Sequence, residues 1–224
     1  MRIGFYFDTT HLAPWNWQDV LEGTLPLSGT DRMVLRVCHK LAAVSSIESA
    51  LLTSTPGRSG STSTVSQVTA ENLTESVEAA RNRDLDLLVF VDNECPDIIE
   101  GIRRAEEIKQ PCLAWCHNGP WRRMARLYTE ASTIQRVLCV STPQADAYRE
   151  KPVFDKMEVL RNAIDTSWYR PPSTHSPDKK TVCYVGVPTK GFHHLAPAWS
   201  HVRDAFPDAR LVVVGNARLY DRTA

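Results

Sequence analysis

The sequence predicts an α/β protein: a doubly wound parallel sheet followed by a partial second βαβ unit. Three observations carry this. Continuous apolar runs such as "LDLLVFVD" (Leu85–Asp92) and "CLAWC" (Cys112–Cys116) recur along the chain, as strands buried on both faces require. Stretches with helical spacing separate them, and that alternation demands parallel pairing through right-handed crossovers. A tract with three prolines, "DTSWYRPPSTHSPDKK" (Asp165–Lys180), then precedes a fresh strand–helix–strand.

The elements follow in order. "RIGFYF" (Arg2–Phe7) is the first strand, and Asp8–Leu27 is read as a long loop. In "SGTDRMVLRVCHKLAA", Met33, Val34, Val37, Cys38 and Leu41 keep the spacing of one helix face. "ALLTST" is a second strand, and the polar, turn-rich "TPGRSGSTSTVSQ" a loop. "AENLTESVEAARNRD" is a helix, "LDLLVFVD" a strand, "PDIIEGIRRAEEIKQ" a helix and "PCLAWCH" a strand. "PWRRMARLYTEAS" is a helix, "RVLCVS" a strand, and "TPQADAYRE" a short helix with Thr142 as its N-cap. "KMEVLRN" ends this first unit. "TVCYVG", a helix over 191–206 and "ARLVVVG" form the second, with Val182, Tyr184, Phe192, Leu195, Trp199, Phe206, Leu211 and Val213 as its candidate core. Pro197 lies inside that helix, where it would kink it. The expected domains are 1–165, a linker over 166–180, and 181–224.

Bulk properties exclude several classes. The 224 residues carry 26 Lys plus Arg against 26 Asp plus Glu, so no basic excess points to nucleic acid. No run of 18 apolar residues suggests a spanning helix. The apolar stretch in "MRIGFYFDTT" is too short for a signal peptide. Of the six cysteines, Cys112, Cys116, Cys139 and Cys183 sit in strand-like runs and are expected to be small buried hydrophobes. That usage fits a reducing cytoplasm better than a disulfide framework. No G-x-G-x-x-G follows the first strand, which weakens a dinucleotide-binding oxidoreductase reading.

Four pieces of the chain carry a family resemblance. They are "LSGTDRMVLRVCHKLAA", "LAWCHN", "EVLRNAIDTSWYRPP" and "VCYVGVPTKGFHHLAPAWSHVRDAFPDARLVVVG". In that order they resemble the glycine-rich turn and first helix, the strand ending in His, the interdomain segment and the opening of the donor-binding domain of retaining GT-B glycosyltransferases of family four. The resemblance implies a Rossmann-like GT-B N-terminal, acceptor-side domain over 1–165 and the truncated start of a donor domain over 181–224. It implies sugar transfer with retention from a nucleotide sugar (UDP- or GDP-linked) to a sugar or lipid-linked acceptor, with no cofactor and no metal. A separately encoded C-terminal half would then be a partner, and membrane contact at most peripheral. The family's Glu-x7-Glu pair would lie beyond residue 224, so the other expectation is an inactive or split module.

Within that resemblance, His117 is the candidate catalytic residue, and Gly29, Thr30, Lys190 and Gly191 are candidate donor contacts. A lysine beside a helix N-terminus places a cation and N–H dipoles where charge grows on a leaving phosphate. Each has a plainer reading. Lys190 could simply solvate a loop, and Ser28 with Asp31 is close to a capping box. His117 could be bonded into its loop, and a zinc site from Cys112, Cys116 and His117 is disfavoured by strand spacing. The position where the family carries an Arg after the strand glycine is Val187, and the Gly of its interdomain turn is Ala163. The mixed aromatic and basic "PWRRMARLY" is the place to look for a lipid contact.

Overall fold

A computed structural model of the chain describes residues 1–10, 12, 15–24, 27–54, 65–92, 95–117, 122–164, 180–186 and 190–214. The prolines of the expected linker, residues 118–121 and 187–189, and the side chains of Arg122 and Arg123 lie outside that description. The chain divides into two compact units, Met1–Ala163 and Ile164–Ala224.

Unit one is a Rossmann-like α/β layer around one parallel sheet. Its strands are β1 (Arg2–Phe7), β2 (Glu48–Thr53), β3 (Ser66–Thr69), β4 (Leu87–Val91), β5 (Cys112–Cys116), β6 (Ile134–Cys139) and β7 (Met157–Val159). They lie in the order β3-β2-β1-β4-β5-β6-β7, every neighbouring pair parallel. The chain therefore winds one way from β1 to β3, returns to the far side of β1, and winds the other way to β7. The winding reverses between β1 and β4, and in open α/β sheets the crevice at the carboxyl ends of those strands is where ligands bind.

Strand alternation divides the core in two. Ile3, Phe5, Phe7, Val89, Val91 and Trp115 face one layer, against Val34, Leu35 and Cys38 of α2 (Gly29–Ala42). Tyr6, Leu88, Phe90, Ala114, Cys116 and Cys139 face the other. There they meet Val77 of α3 (Leu73–Asn82), Ile102 of α4 (Ile98–Ile108) and Tyr128 of α5 (Arg122–Glu130). Helices α3 and α4 touch closely at Gly101, where a Cβ would sit 2.5 Å from Leu73 Cγ. Only glycine fits that contact without displacing the helix.

Three details differ from the sequence reading. The loop Asp8–Leu27 contains a helix, α1 (Trp17–Glu22), started by the Asn16 side chain accepting from the Asp19 N–H and stopped by Gly23 at φ 75°. Trp15 and Trp17, almost wholly buried, pack edge to face at 5.4 Å, and that burial holds the short helix down. The segment read as a loop up to Gln67 ends in β3, a polar edge strand set by its pairing with β2. The cap of α6 (Thr142–Asp146) is Ser141, whose hydroxyl accepts from the Gln144 N–H, not Thr142.

Unit two contains β8 (Thr181–Val185), α7 (Phe192–Ala205) and β9 (Arg210–Val214), with β8 and β9 paired in parallel. Helix α7 continues across Pro197, whose carbonyl accepts from the Ser200 hydroxyl at 2.9 Å. Tyr184 meets Phe192 at 5.3 Å between ring centres. The candidate core here is not buried. Val182 and Val213 are 44% exposed and Phe206 68%, and α7 buries no residue. Val182 and Val213 share the sheet face of Tyr184, which meets α7, so among the described residues a single helix covers even that face only in part.

All six cysteines are free thiols. Cys183 is exposed rather than buried, because it lies on that thin second sheet. Burial pushes the Cys38, Cys95 and Cys116 thiols well up, and lifts Cys112 to about 12 and Cys139 to about 11. Thiolate is the reactive form. Iodoacetamide at neutral pH should therefore modify Cys183 first in the native chain, with the other five reacting only on unfolding. Mass-spectrometric mapping that found Cys116 or Cys139 alkylated as fast as Cys183 would contradict this packing.

Candidate functional site

The reversal point carries the polar residues that the core excludes. Helix α2 starts there with a complete capping box: the Ser28 hydroxyl accepts from the Asp31 N–H, and the Ser28 N–H donates to Asp31 Oδ2, both at 3.2 Å. Gly29 opens the helix, exposed, with nothing within 4 Å of where a Cβ would stand. Thr30 follows, half-buried. The capping reading of Ser28 and Asp31 is thus correct, and it leaves the open side of Gly29 accessible to a ligand.

His117 stands just past β5 on the same side of the sheet as Trp115, their rings 4.9 Å apart. Its Nε2 is buried and meets no hydrogen-bonding group among the described residues. Burial holds its pKa at about 4, down from an ordinary 6.5, and the Asp31 carboxylate on α2 opposes the shift. His117 and the start of α2 thus feel one another electrostatically, and the imidazole is neutral near pH 7. Alternation sends Cys112 and Cys116 to the opposite face from His117, which argues against one ion held by all three. Among the described residues no group of three His, Cys, Asp or Glu is arranged for a metal.

The sign of the pH effect follows from the depressed value. Between about 4 and 6.5 the unfolded chain binds the His117 proton and the folded chain does not. The contribution of His117 to stability is present above pH 6.5 and is lost as pH falls toward 4. An NMR titration should place the midpoint of His117 near 4, and Asp31→Asn should move it lower still. A midpoint at or above 6.5 would mean the ring is solvated.

Lys190 and Gly191 belong to unit two. Gly191 caps α7 at φ 102°, a left-handed conformation that glycine adopts without strain, and its carbonyl accepts from the His194 and Leu195 N–H groups. Lys190 is exposed at that turn. The arrangement matches the expected lysine beside a helix start.

Sequence reasoning overlooked a second cluster, on the α3–α5 side of the same edge. Asp92 follows β4 and is 5% exposed, accepting from the Cys116 thiol at 3.6 Å. Asp8 follows β1 and accepts from the Ser54 hydroxyl at 3.0 Å and the Thr10 N–H at 2.9 Å. Cys95 and Asp97 come from the turn into α4, whose Pro96 carbonyl accepts from the α3 Leu73 N–H. Burial, then Asp92, Asp8 and Asp97, push the Cys95 thiol up, and burial, then Cys95, Asp8, Asp97 and Glu75, raise Tyr6. Tyr128 is wholly buried, and burial, then Asp92 and Cys116, raise its hydroxyl. The available signal was an Asp directly after an apolar strand run, at both Asp8 and Asp92.

No protein-family model matches the chain, and no curated protein does. Among solved structures, the chain is similar to the crystal structure of a glycosyltransferase from Rickettsia africae ESF-5. The TM-score is 0.57 at 10% identity, over 96% of this chain and 68% of that one. At that identity the likeness establishes a shared α/β fold.

Proposed function

We propose that the chain is built for sugar transfer in the GT-B manner, resembling the retaining enzymes of family four, with a UDP- or GDP-sugar as donor. The observation that carries this is the carboxyl-edge crevice, where an open helix start at Gly29 and a neutral His117 with an unpartnered Nε2 lie in a fold similar to a glycosyltransferase. Breaking a sugar–phosphate bond moves negative charge onto the leaving oxygens, and fixed N–H dipoles and cations stabilise it there. Gly29 and Thr30 at the α2 start, and Lys190 and Gly191 at the α7 start, are the proposed donor contacts. His117, uncharged, is suited to hydrogen-bond a sugar hydroxyl rather than to neutralise phosphate. The acceptor would be a sugar or a lipid-linked sugar.

A second reading has its own observation. The described elements of unit two bury no residue of α7 and leave β8 and β9 exposed, which is a weak platform for holding a nucleotide. On that reading the chain keeps the acceptor-side unit, needs a partner polypeptide for donor binding, and does not turn over alone.

Both are tested by incubating the full chain with a panel of UDP- and GDP-sugars and simple acceptors, with product detected by mass spectrometry. Transfer that is lost in His117→Ala and in Lys190→Ala supports the first reading. Acceptor binding without transfer supports the second. Nucleotide-sugar turnover indifferent to both substitutions would remove the assignment of these residues.

A further inference from the structure

The proposed role of His117 needs an imidazole that keeps one orientation and no charge. Its place in the chain does not supply this, because His117 lies one residue past the end of β5 and a side chain there has several rotamers open to it. The ring of Trp115 can supply both.

Residues two apart on a strand share a face and stand roughly 6.6 Å apart along it. The Trp115 and His117 ring centres are 4.9 Å apart with 42° between their planes, so the two rings lean together. Trp115 is itself fixed. It is 2% exposed, its backbone is in register with Val91 on β4 and Leu138 on β6, and its carbonyl accepts from the Asp92 N–H at 3.0 Å. Its indole belongs to the apolar layer of Phe7, Val34 and Leu35. The imidazole therefore rests on an immobile plate.

The indole acts through its face and not through a hydrogen bond. Its Nε1 is buried with no hydrogen-bond partner among the described residues, as is His117 Nε2. An indole face by itself favours a charged imidazole. Among the described residues the charge acting on the ring is that of Asp31 on α2, which also favours the charged form. The ring is nevertheless held neutral, so exclusion of water outweighs both attractions.

We infer that Trp115 is a positioning residue for the proposed transfer: its indole face fixes the plane of the His117 imidazole and walls that ring from water on one side. The part in transfer rests on the sugar-transfer reading, but the ring contact does not depend on it.

Two variants of the full chain separate the face from its volume and from its N–H. Trp115→Leu keeps apolar character and loses the flat face. Trp115→Phe keeps a face and loses the N–H. NMR titration without any nucleotide sugar reads the first effect. In Trp115→Leu the His117 midpoint should rise from near 4 toward 6.5 as water reaches the ring. In Trp115→Phe it should stay within about half a pH unit of the native value. Leu51→Ala, a truncation in the same core layer on β2, should lower the melting temperature and leave the midpoint alone. Turnover reads the second effect. With a UDP- or GDP-sugar that the native chain transfers, Trp115→Leu should lower kcat on the order of tenfold or more and leave the donor KM within about twofold. That is the pattern of a misplaced group and not of a lost binding contact. The native chain gives a check that needs no substitution: NOEs between indole and imidazole ring protons, with one set of imidazole signals. An unmoved midpoint in Trp115→Leu, an equal shift in Leu51→Ala, a Phe variant as impaired as the Leu variant, or missing NOEs would each overturn the inference. If the midpoints behave as expected but neither the native chain nor any variant transfers sugar, the transfer reading fails and the Trp115–His117 pairing stands.

Discussion

Replacing Phe90 by alanine should lower the unfolding free energy of unit one by about 3–5 kcal/mol, the usual cost of truncating a fully buried phenylalanine. Phe90 occupies the middle of the sheet. Its backbone pairs in register with Tyr6 of β1 on one side and Ala114 of β5 on the other. Its ring is wholly buried and lies 6.4 Å from that of Tyr128. Collapse cannot refill the space, because both flanking strands are fixed by their ladders and the helix above is held at its end. Lys156 Nζ donates to the Tyr128 and Ala131 carbonyls at the end of α5, anchoring that helix. Urea unfolding followed by tryptophan fluorescence measures the loss. A change below about 1 kcal/mol would mean that β4 is not the centre of the core.

How far the sequence foretold this structure depends on where each residue spends its contacts. The central strands were legible because burial on both faces leaves an unbroken apolar run, as in "LLVFV" and "CLAWC". Strand β3 was not, because an edge strand with the sequence "SQVT" carries no apolar signal and exists through its pairing with β2. Helix α1 was hidden by its length of six residues and by neighbours that read as loop; its stability comes from Trp15 and Trp17 entering the core. His117 was placed at a strand end from sequence, since a polar residue after an apolar run marks the sheet's carboxyl edge. The Asp8, Asp92, Asp97 and Tyr128 cluster was not assembled, because its members come from four separate elements and meet only through the strand order. The expected core of unit two failed for the converse reason. Its residues are apolar, but apolar character buries a side chain only where a second layer covers it.

That last difference makes the sharpest contrast within the chain. Amide hydrogens of Leu87–Val91 should exchange on the order of a thousandfold or more slowly than those of Val182–Val185 and Leu211–Val214, since exchange in a core strand requires near-global opening and in a thin pair only local opening. Strand β4 is bonded on both edges and covered on both faces. Strands β8 and β9 have only each other as ladder partners among the described residues. Val185 is 75% exposed and Val214 49%, so little apolar burial opposes fraying. Two strands with one helix are marginal by themselves. The open edges also invite pairing with another chain, so the measurement belongs on a confirmed monomer and again at higher concentration. Protection that appears in β8 and β9 only at high concentration would show that association supplies the missing layer. If both strands in the monomer are as protected as β4, unit two is a stable folding unit in its own right. The reading of this chain as an acceptor-side unit awaiting a partner would then lose its physical basis.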